Sequence, residues 1–146
     1  MILTGETLDL SHITRPKVAK YSTGGVGDKT SLILAAVGAA CGVVVPGMTS
    51  PDEDFVLTAE DKMSSIPGFK TKLSLDEFQK QLSTIGCAIC EHDNSISPVD
   101  EKIYNMRHMT ATIPSLPLIT ASVLSKKFAI GADGLVVDVK WGNGSY

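Results

Sequence analysis

The sequence predicts an α/β fold in which a short parallel or mixed sheet is flanked by helices. The prediction depends on a pattern that occurs three times: an apolar segment with helical spacing is followed closely by a short run typical of a buried strand. The three pairs are KTSLILAAVGAACG with VVVP, SLDEFQKQLSTIG with CAICEHD, and LPLITASVLSKKFAIG with GLVVDVKWG. Helices that alternate with buried strands are typical of an α/β sheet.

The first elements are defined by glycine and proline. Residues 1–17 carry few core signals, so we interpret them as an N-terminal arm in which TLDLSHI forms either a short edge strand or a trailing segment. The first helix starts near Lys29 and Gly42 is its natural end. The run VVVP then predicts a buried strand that Pro46 closes.

The later helices have clearer ends. Ser74 is the predicted N-cap of the second helix because Glu77 follows three residues later, as in a capping box, and Gly86 ends this helix. The loop DNSISPVD leads to a cap before EKIYNMRHMTAT. Pro117 near the start and Gly131 at the end delimit the helix in LPLITASVLSKKFAIG.

Composition excludes some classes of partner. The 146 residues are 43% hydrophobic and 20% charged, with a net charge of −3 and scattered basic residues. This balance is typical of a globular domain, and it argues against a nucleic-acid or acidic-membrane surface. The N-terminus lacks the basic start and long apolar core of a signal peptide, and the longest apolar run is too short to span a bilayer. We therefore expect a cytoplasmic protein.

The cysteines do not predict a metal site. Cys87 and Cys90 have CxxC spacing, but they lie in an apolar run that predicts a strand, and the sequence has no second ligand pair. Together with Cys41 they are an odd number. Reduced, buried thiols in the cytoplasm are the favoured interpretation.

The glycine-rich stretch STGGVGDKTS precedes the first helix. Backbone amides bind phosphate where glycines permit close approach and a helix N-terminus faces the anion, and this stretch supplies both conditions. Its spacing fits neither GxxxxGK[ST] nor GxGxxG. From the residues alone, a phosphate cradle and a tight connecting turn both stay open.

Four parts of the chain carry a resemblance to a known family. They are STGGVGDKTSLILA with AACG, DKMSSIPGF, SPVDEKIYNMRHMTATIPSLPLITASVLSKK and GADGLVVDVKWGNGSY. They closely resemble the thymidine and pyrimidine-nucleoside phosphorylases, in the family's order and from about Val18 to the C-terminus. The resemblance implies phosphorolysis of a pyrimidine nucleoside to free base and pentose 1-phosphate, with no organic cofactor and with inorganic phosphate as co-substrate.

The resemblance also implies the domain organisation and the site. Residues 18–146 would be part of the family's α/β domain, with residues of about 101–130 corresponding to helices of its small lobe. The implied contacts fall into two groups, one for phosphate and one for the base. They are Lys20, Ser22, Ser31 and Thr49 for phosphate, and Arg107, Ser122 and Lys126 for the base. From the residues alone, solvated surface charge is the alternative for Arg107 and Lys126.

Three features depart from the family. Tyr21 stands where relatives have a histidine with a proton-handling or orienting role, and it is interpreted either as a hydrogen-bond donor or as a packing residue. A tyrosine, with an ordinary pKa near 10, does not titrate near neutrality. The acidic segment TSPDEDFVLTA replaces a glycine-rich phosphate loop, with Ala59 in place of a threonine. Relatives are also about three times longer, so we expect the helix in LPLITASVLSKK to need cover from another copy or another chain.

Three hypotheses about function follow. The first is a pyrimidine-nucleoside phosphorylase, or a part of one, in which Tyr21 occupies the position of the catalytic histidine. The second is a non-catalytic, truncated relative that acts as a binding or assembly module. The third is an anion-binding domain that serves another glycosyl transfer. Expected partners are a pyrimidine nucleoside and phosphate, with no nucleic acid and no membrane, and a homo-oligomer or a complex with another chain.

Overall fold

The architecture is that of a computed structural model, which describes residues 1–23, 29–49, 59–92 and 94–144, without the side chains of residues 59–61. The glycine run at residues 24–28, the acidic segment at 51–58 and the side chain of Ala59 lie outside the described residues. The predictions about these three parts stay predictions.

Along the described chain, four short strands and five α-helices follow a 3₁₀ turn at Ile2–Thr4, with one or two helices between successive strands. The strands are β1 (Val18–Ser22), β2 (Val45–Thr49), β3 (Cys87–Glu91) and β4 (Gly134–Asp138). The helices are α1 (Thr30–Ala40), α2 (Ala59–Ser64), α3 (Leu75–Ile85), α4 (Pro98–Met109) and α5 (Leu116–Ala129). The predicted α/β class is confirmed.

The described strands are parallel. β1 pairs with β4, β2 pairs with β3, and a single parallel bridge between Lys17 and Val44 joins the two pairs. The spatial order is therefore β4-β1-β2-β3, and the carboxyl ends of all four strands lie at one edge. Residues that follow or end these strands are brought close together there, as in other open α/β sheets.

Strand β2 differs from its prediction. It begins at Val45 and continues through Pro46 to Thr49, whereas VVVP predicted a strand that Pro46 closes. The Val45 amide donates to Gly86 O on the β3 side, and the Val44 amide donates to Pro16 O on the β1 side. Since amides alternate sides along a strand, the nitrogen of Pro46 faces β1. Proline thus ends the pairing with β1 and leaves the pairing with β3 intact.

The N-terminal arm takes part in the core. Leu8, Leu10 and Ile13 are buried, although this segment forms no strand. The Leu8 amide donates to Ala129 O at the end of α5, over a distance of 2.8 Å. The buried core cluster consists of Leu8, Leu10, Ile13, Ala19, Val44, Met48, Phe78, Leu82, Ala88, Cys90, Ile96, Ala129 and Ile130.

Helix ends follow the predicted residues in most places. Ser74 and Glu77 form a complete capping box at the start of α3, and Gly86 ends it with a left-handed conformation. Gly131 follows α5 with φ +70°. Helix α4 is the exception, because it begins at Pro98 rather than after Asp100. Proline is favoured in the first turn of a helix, so Asp100 lies inside that turn and is buried.

Several apolar side chains stay exposed at the outer elements. Val136 and Val137 of β4 are each about half exposed, and Leu116 and Phe128 of α5 are more exposed still. Helix α5 does bury Ala129 against the core. In the described ranges, no helix is long and apolar enough to cross a membrane.

Candidate functional site

Lys20 and Ser31 meet at the carboxyl edge of the sheet. Lys20 lies on β1 and Ser31 in the first turn of α1, and the Lys20 Nζ donates to Ser31 Oγ over 2.7 Å. The side chain of Lys20 is only 9% exposed, and its Nζ is also 3.1 Å from Asp138 Oδ2 at the end of β4. Two of the residues implied for phosphate are therefore in direct contact.

Asp138 connects two cations at this edge. Its Oδ2 accepts from Lys140 Nζ over 2.6 Å, in addition to its contact with Lys20. The bond from Lys140, and then the one from Lys20, hold the pKa of the Asp138 carboxyl below its ordinary value. The carboxylate is thus ionised at neutral pH and balances part of the local positive charge.

The other implied phosphate residues lie at the same edge. Ser22 is the last residue of β1, opposite Asp138, and Thr49 is the last residue of β2. The Thr49 hydroxyl donates to Cys90 O over 3.3 Å, which turns it toward β3. Tyr21 is half-buried between Lys20 and Ser22, and strand alternation places it on the opposite face of β1 from both.

A second cluster is organised by Asp100, which is 6% exposed in the first turn of α4. Its Oδ2 accepts from Ser122 Oγ and from Lys126 Nζ, each over 2.9 Å. Ser122 and Lys126 lie one turn apart on α5, so one carboxylate holds both predicted base contacts. Its other oxygen, Oδ1, is buried and has no hydrogen-bond partner among the described residues.

Arg107 is not a solvated surface charge, since the residue is 4% exposed. Its Nε donates to Thr112 O over 3.3 Å and its Nη2 donates to Ile113 O, so the guanidinium binds the turn that follows α4. It also lies 5.6 Å from the centre of the Tyr104 ring, within the range of a cation–π contact. No described contact joins Arg107 to Ser122 or Lys126.

Two residues of the site were missed by sequence reasoning. The sequence predicts Asp100 only as a helix cap, although it lies within SPVDEKIYNMRHMT, part of a segment that resembles the family. Lys127 was assigned no role from the sequence; it is 9% exposed and its Nζ donates to Met48 O of β2 over 3.2 Å. Burial, then the charges of Lys126 and Lys20, lower the pKa of Lys127 to about 8.

An open surface depression of about 240 Å³ lies beyond the end of β3. Lys72, Leu73, Glu91, His92 and Asn94 line it, and Lys72 Nζ is 3.2 Å from Glu91 Oε2. None of these residues belongs to the predicted site.

Among the described residues, no group of three or more His, Cys, Asp or Glu side chains is placed to hold a metal ion. Of the three free cysteines, Cys90 is buried, Cys87 is half-buried and Cys41 is exposed, which corrects the expectation for Cys41.

The fold and the site together are typical of a ligand-binding α/β protein. Parallel α/β sheets bind ligands at the carboxyl ends of their strands, and here that edge carries lysines, hydroxyls and two carboxylates. The sequence profile of the glycosyl transferase family, α/β domain, matches residues 14–145, so the chain belongs to that family.

Curated relatives are similar across nearly the whole chain. A thymidine phosphorylase from Sinorhizobium medicae is 48% identical over 143 residues, which are 98% of this chain and 33% of that protein. A thymidine phosphorylase from Colwellia psychrerythraea is 46% identical over 145 residues, 99% of this chain and 33% of that protein. A pyrimidine-nucleoside phosphorylase from Geobacillus stearothermophilus is 42% identical over 146 residues, 100% of this chain and 34% of that protein. The chain thus spans about a third of the length of these relatives.

Proposed function

We propose that the chain supplies the phosphate and base contacts of a pyrimidine-nucleoside phosphorylase, which converts a nucleoside and phosphate to free base and pentose 1-phosphate. The observation that carries the proposal is the contact of Lys20 with Ser31, which joins two implied phosphate residues across β1 and α1. Inorganic phosphate is the co-substrate, and no organic cofactor is required.

The phosphate half works through charge and hydroxyl donors. The Lys20 ammonium, positioned by Ser31 and Asp138, brings positive charge and N–H donors toward a phosphate oxygen. Ser22 and Thr49 add hydroxyls at the same edge. A phosphate oxygen held in this way forms a bond to the anomeric carbon of the sugar.

The base contacts stabilise the negative charge that develops on the departing pyrimidine. As the new C–O bond forms, the C–N bond to the pyrimidine breaks and its electron pair moves to the base and its carbonyl oxygens. Lys126, oriented by Asp100, donates a hydrogen bond toward these oxygens. Ser122 directs its hydroxyl proton to Asp100, so its oxygen is left to accept a hydrogen bond from an N–H of the base. Arg107 contributes a further positive charge in this proposal. Tyr21, on the opposite face of β1 from Lys20 and Ser22, is assigned no ligand contact and keeps its two interpretations, a hydrogen-bond donor or a packing residue. It does not replace a histidine in proton transfer, because a phenol does not titrate near pH 7.

The test begins with phosphate binding. Calorimetric titration with inorganic phosphate is expected to show saturable binding to the wild-type chain and at least about tenfold weaker binding to Lys20→Ala, since charge-assisted hydrogen bonds are lost. The matched control is Lys80→Ala, an exposed lysine on α3. It should bind phosphate as the wild type does. A folded wild-type chain that fails to bind phosphate at millimolar concentration would contradict the proposal.

Turnover separates the phosphorylase from its alternative. Release of thymine from thymidine and of uracil from uridine, in the presence of phosphate, is expected from the enzyme. Phosphate binding without release of either base would instead favour the non-catalytic binding module, for which Tyr21 in the family's histidine position and the acidic segment TSPDEDFVLTA are motivating features. A cytoplasmic location and a homo-oligomer or complex with another chain stay predictions.

A further inference from the structure

Lys127 links α5 to β2 through a buried hydrogen bond. Its Nζ donates to the backbone oxygen of Met48 over 3.2 Å, and the lysine is 9% exposed. Met48 lies next to the end of β2, where its register partner is Cys90 of β3. The bond therefore attaches the last turn of α5 to the carboxyl edge of the sheet.

This bond lies between the two halves of the proposed site. Lys126, a base contact, precedes Lys127 on α5, and Thr49, a phosphate contact, follows Met48 on β2. On each side the bonded residue is thus the immediate neighbour of a residue proposed to hold ligand. A change in its length would move Lys126 relative to Thr49.

Stability alone does not account for a lysine here. Burial of an ammonium group is costly, and replacement by an apolar side chain of similar size is often neutral or stabilising. The charges of Lys126 and Lys20 add to that cost, since both are among the causes that lower the pKa of Lys127. A long side chain with a directed donor does what an apolar side chain cannot: it holds one particular backbone oxygen.

We propose that Lys127 is a positioning residue that sets the spacing between the phosphate half and the base half of the site. This inference rests on the proposed function. The reacting phosphate oxygen and anomeric carbon must be held in near-attack geometry, and a misplacement of about 1 Å can lower the rate by about 100-fold. Lys127 contacts neither ligand and acts through Met48 and Lys126.

The test compares Lys127→Met with Lys17→Met. Lys17 is a matched control because it is also 9% exposed and its Nζ also donates to a backbone oxygen, that of Ile13, over 3.2 Å. It precedes β1 and therefore lies at the opposite edge of the sheet. Lys127→Leu, whose side chain also lacks an N–H donor, is the second variant and replaces Lys127→Met should that variant fail to fold.

Two measurements are made on the full chain. Amide hydrogen exchange at residues 47–49 and 123–129 is expected to be at least about tenfold faster in Lys127→Met and unchanged in Lys17→Met, because local opening follows the loss of a docking contact. In steady-state phosphorolysis, kcat is expected to fall about 10- to 100-fold in Lys127→Met while the KM for phosphate stays within about twofold, since binding is retained and alignment is lost.

The outcomes separate this inference from the proposed function. Unchanged exchange in Lys127→Met, or faster exchange with unchanged kcat, overturns the positioning role while phosphate binding by the wild type still supports the proposed function. A rise in the KM for phosphate with unchanged kcat would make Lys127 a binding residue, and this result also overturns the positioning role. Absence of phosphate binding in the wild type overturns the proposed function and the positioning role together, and the exchange data then report only on the docking of α5.

Discussion

Replacement of Lys127 by methionine is expected to change how the stability of the protein depends on pH. The ammonium group is buried between α5 and β2, and burial is the largest cause that lowers its pKa, followed by the charges of Lys126 and Lys20. The folded protein therefore holds this proton less tightly than the unfolded chain does. Methionine has a similar size and carries no proton.

The size of the effect follows from linkage. The pKa of Lys127 is lowered from 10.5 to about 8. Since each tenfold change in proton affinity is worth about 1.4 kcal/mol, the lowering corresponds to about 3 kcal/mol. Between pH 8 and 10.5 the unfolded chain binds more protons than the folded one, so the free energy of unfolding rises with pH. The full gain is present above pH 10.5 and is lost below pH 8.

The assay is urea denaturation followed by far-ultraviolet circular dichroism from pH 7 to 11. Other titrating groups act on both proteins, so the quantity of interest is the free energy of unfolding of the wild type minus that of Lys127→Met. We expect this difference to rise by about 3 kcal/mol across the window. A difference that stays flat, or that falls with pH, would refute the argument that burial lowers the pKa of Lys127.

The remaining predictions concern helix ends. Ser74→Ala removes the capping box with Glu77 and is expected to lower the free energy of unfolding by about 1 kcal/mol, as measured by urea denaturation; an unchanged midpoint would contradict this. Gly131→Ala is expected to lower the melting temperature by more than the control Gly142→Ala. Both glycines have positive φ, but a Cβ on Gly131 would lie 2.6 Å from Leu8 O, whereas a Cβ on Gly142 would meet nothing within 4 Å. Equal shifts in circular-dichroism melts would count against the steric argument.

Elements defined by neighbouring residues could be predicted from the sequence. The capping box of α3 and the end of this helix at Gly86 depend on groups a few residues apart, so their pattern is visible in the chain itself. Helix α5 also ends where Gly131 predicted. Strand β2 was placed too early because the effect of Pro46 depends on which neighbouring strand its nitrogen faces.

The candidate site was predictable only in part. The resemblance to phosphorylases named Lys20 and Ser31, and the structure places them in contact. It did not name Asp100 as the residue that holds Ser122 and Lys126, because that carboxylate is 22 residues from Ser122 in the chain. No local pattern reports contacts over such separations.

The sequence alone determined the α/β class, most helix ends and the family to which the chain belongs, since all three depend on residue type and short-range order. The tertiary structure decided which charges are buried and which meet. Adjacent lysines on α5 have different environments: Lys126 pairs with Asp100, and Lys127 donates to Met48 O on a strand 79 residues away in sequence. Burial and the distance between charges arise only when distant parts of the chain pack together, so these properties cannot be assigned from neighbouring residues.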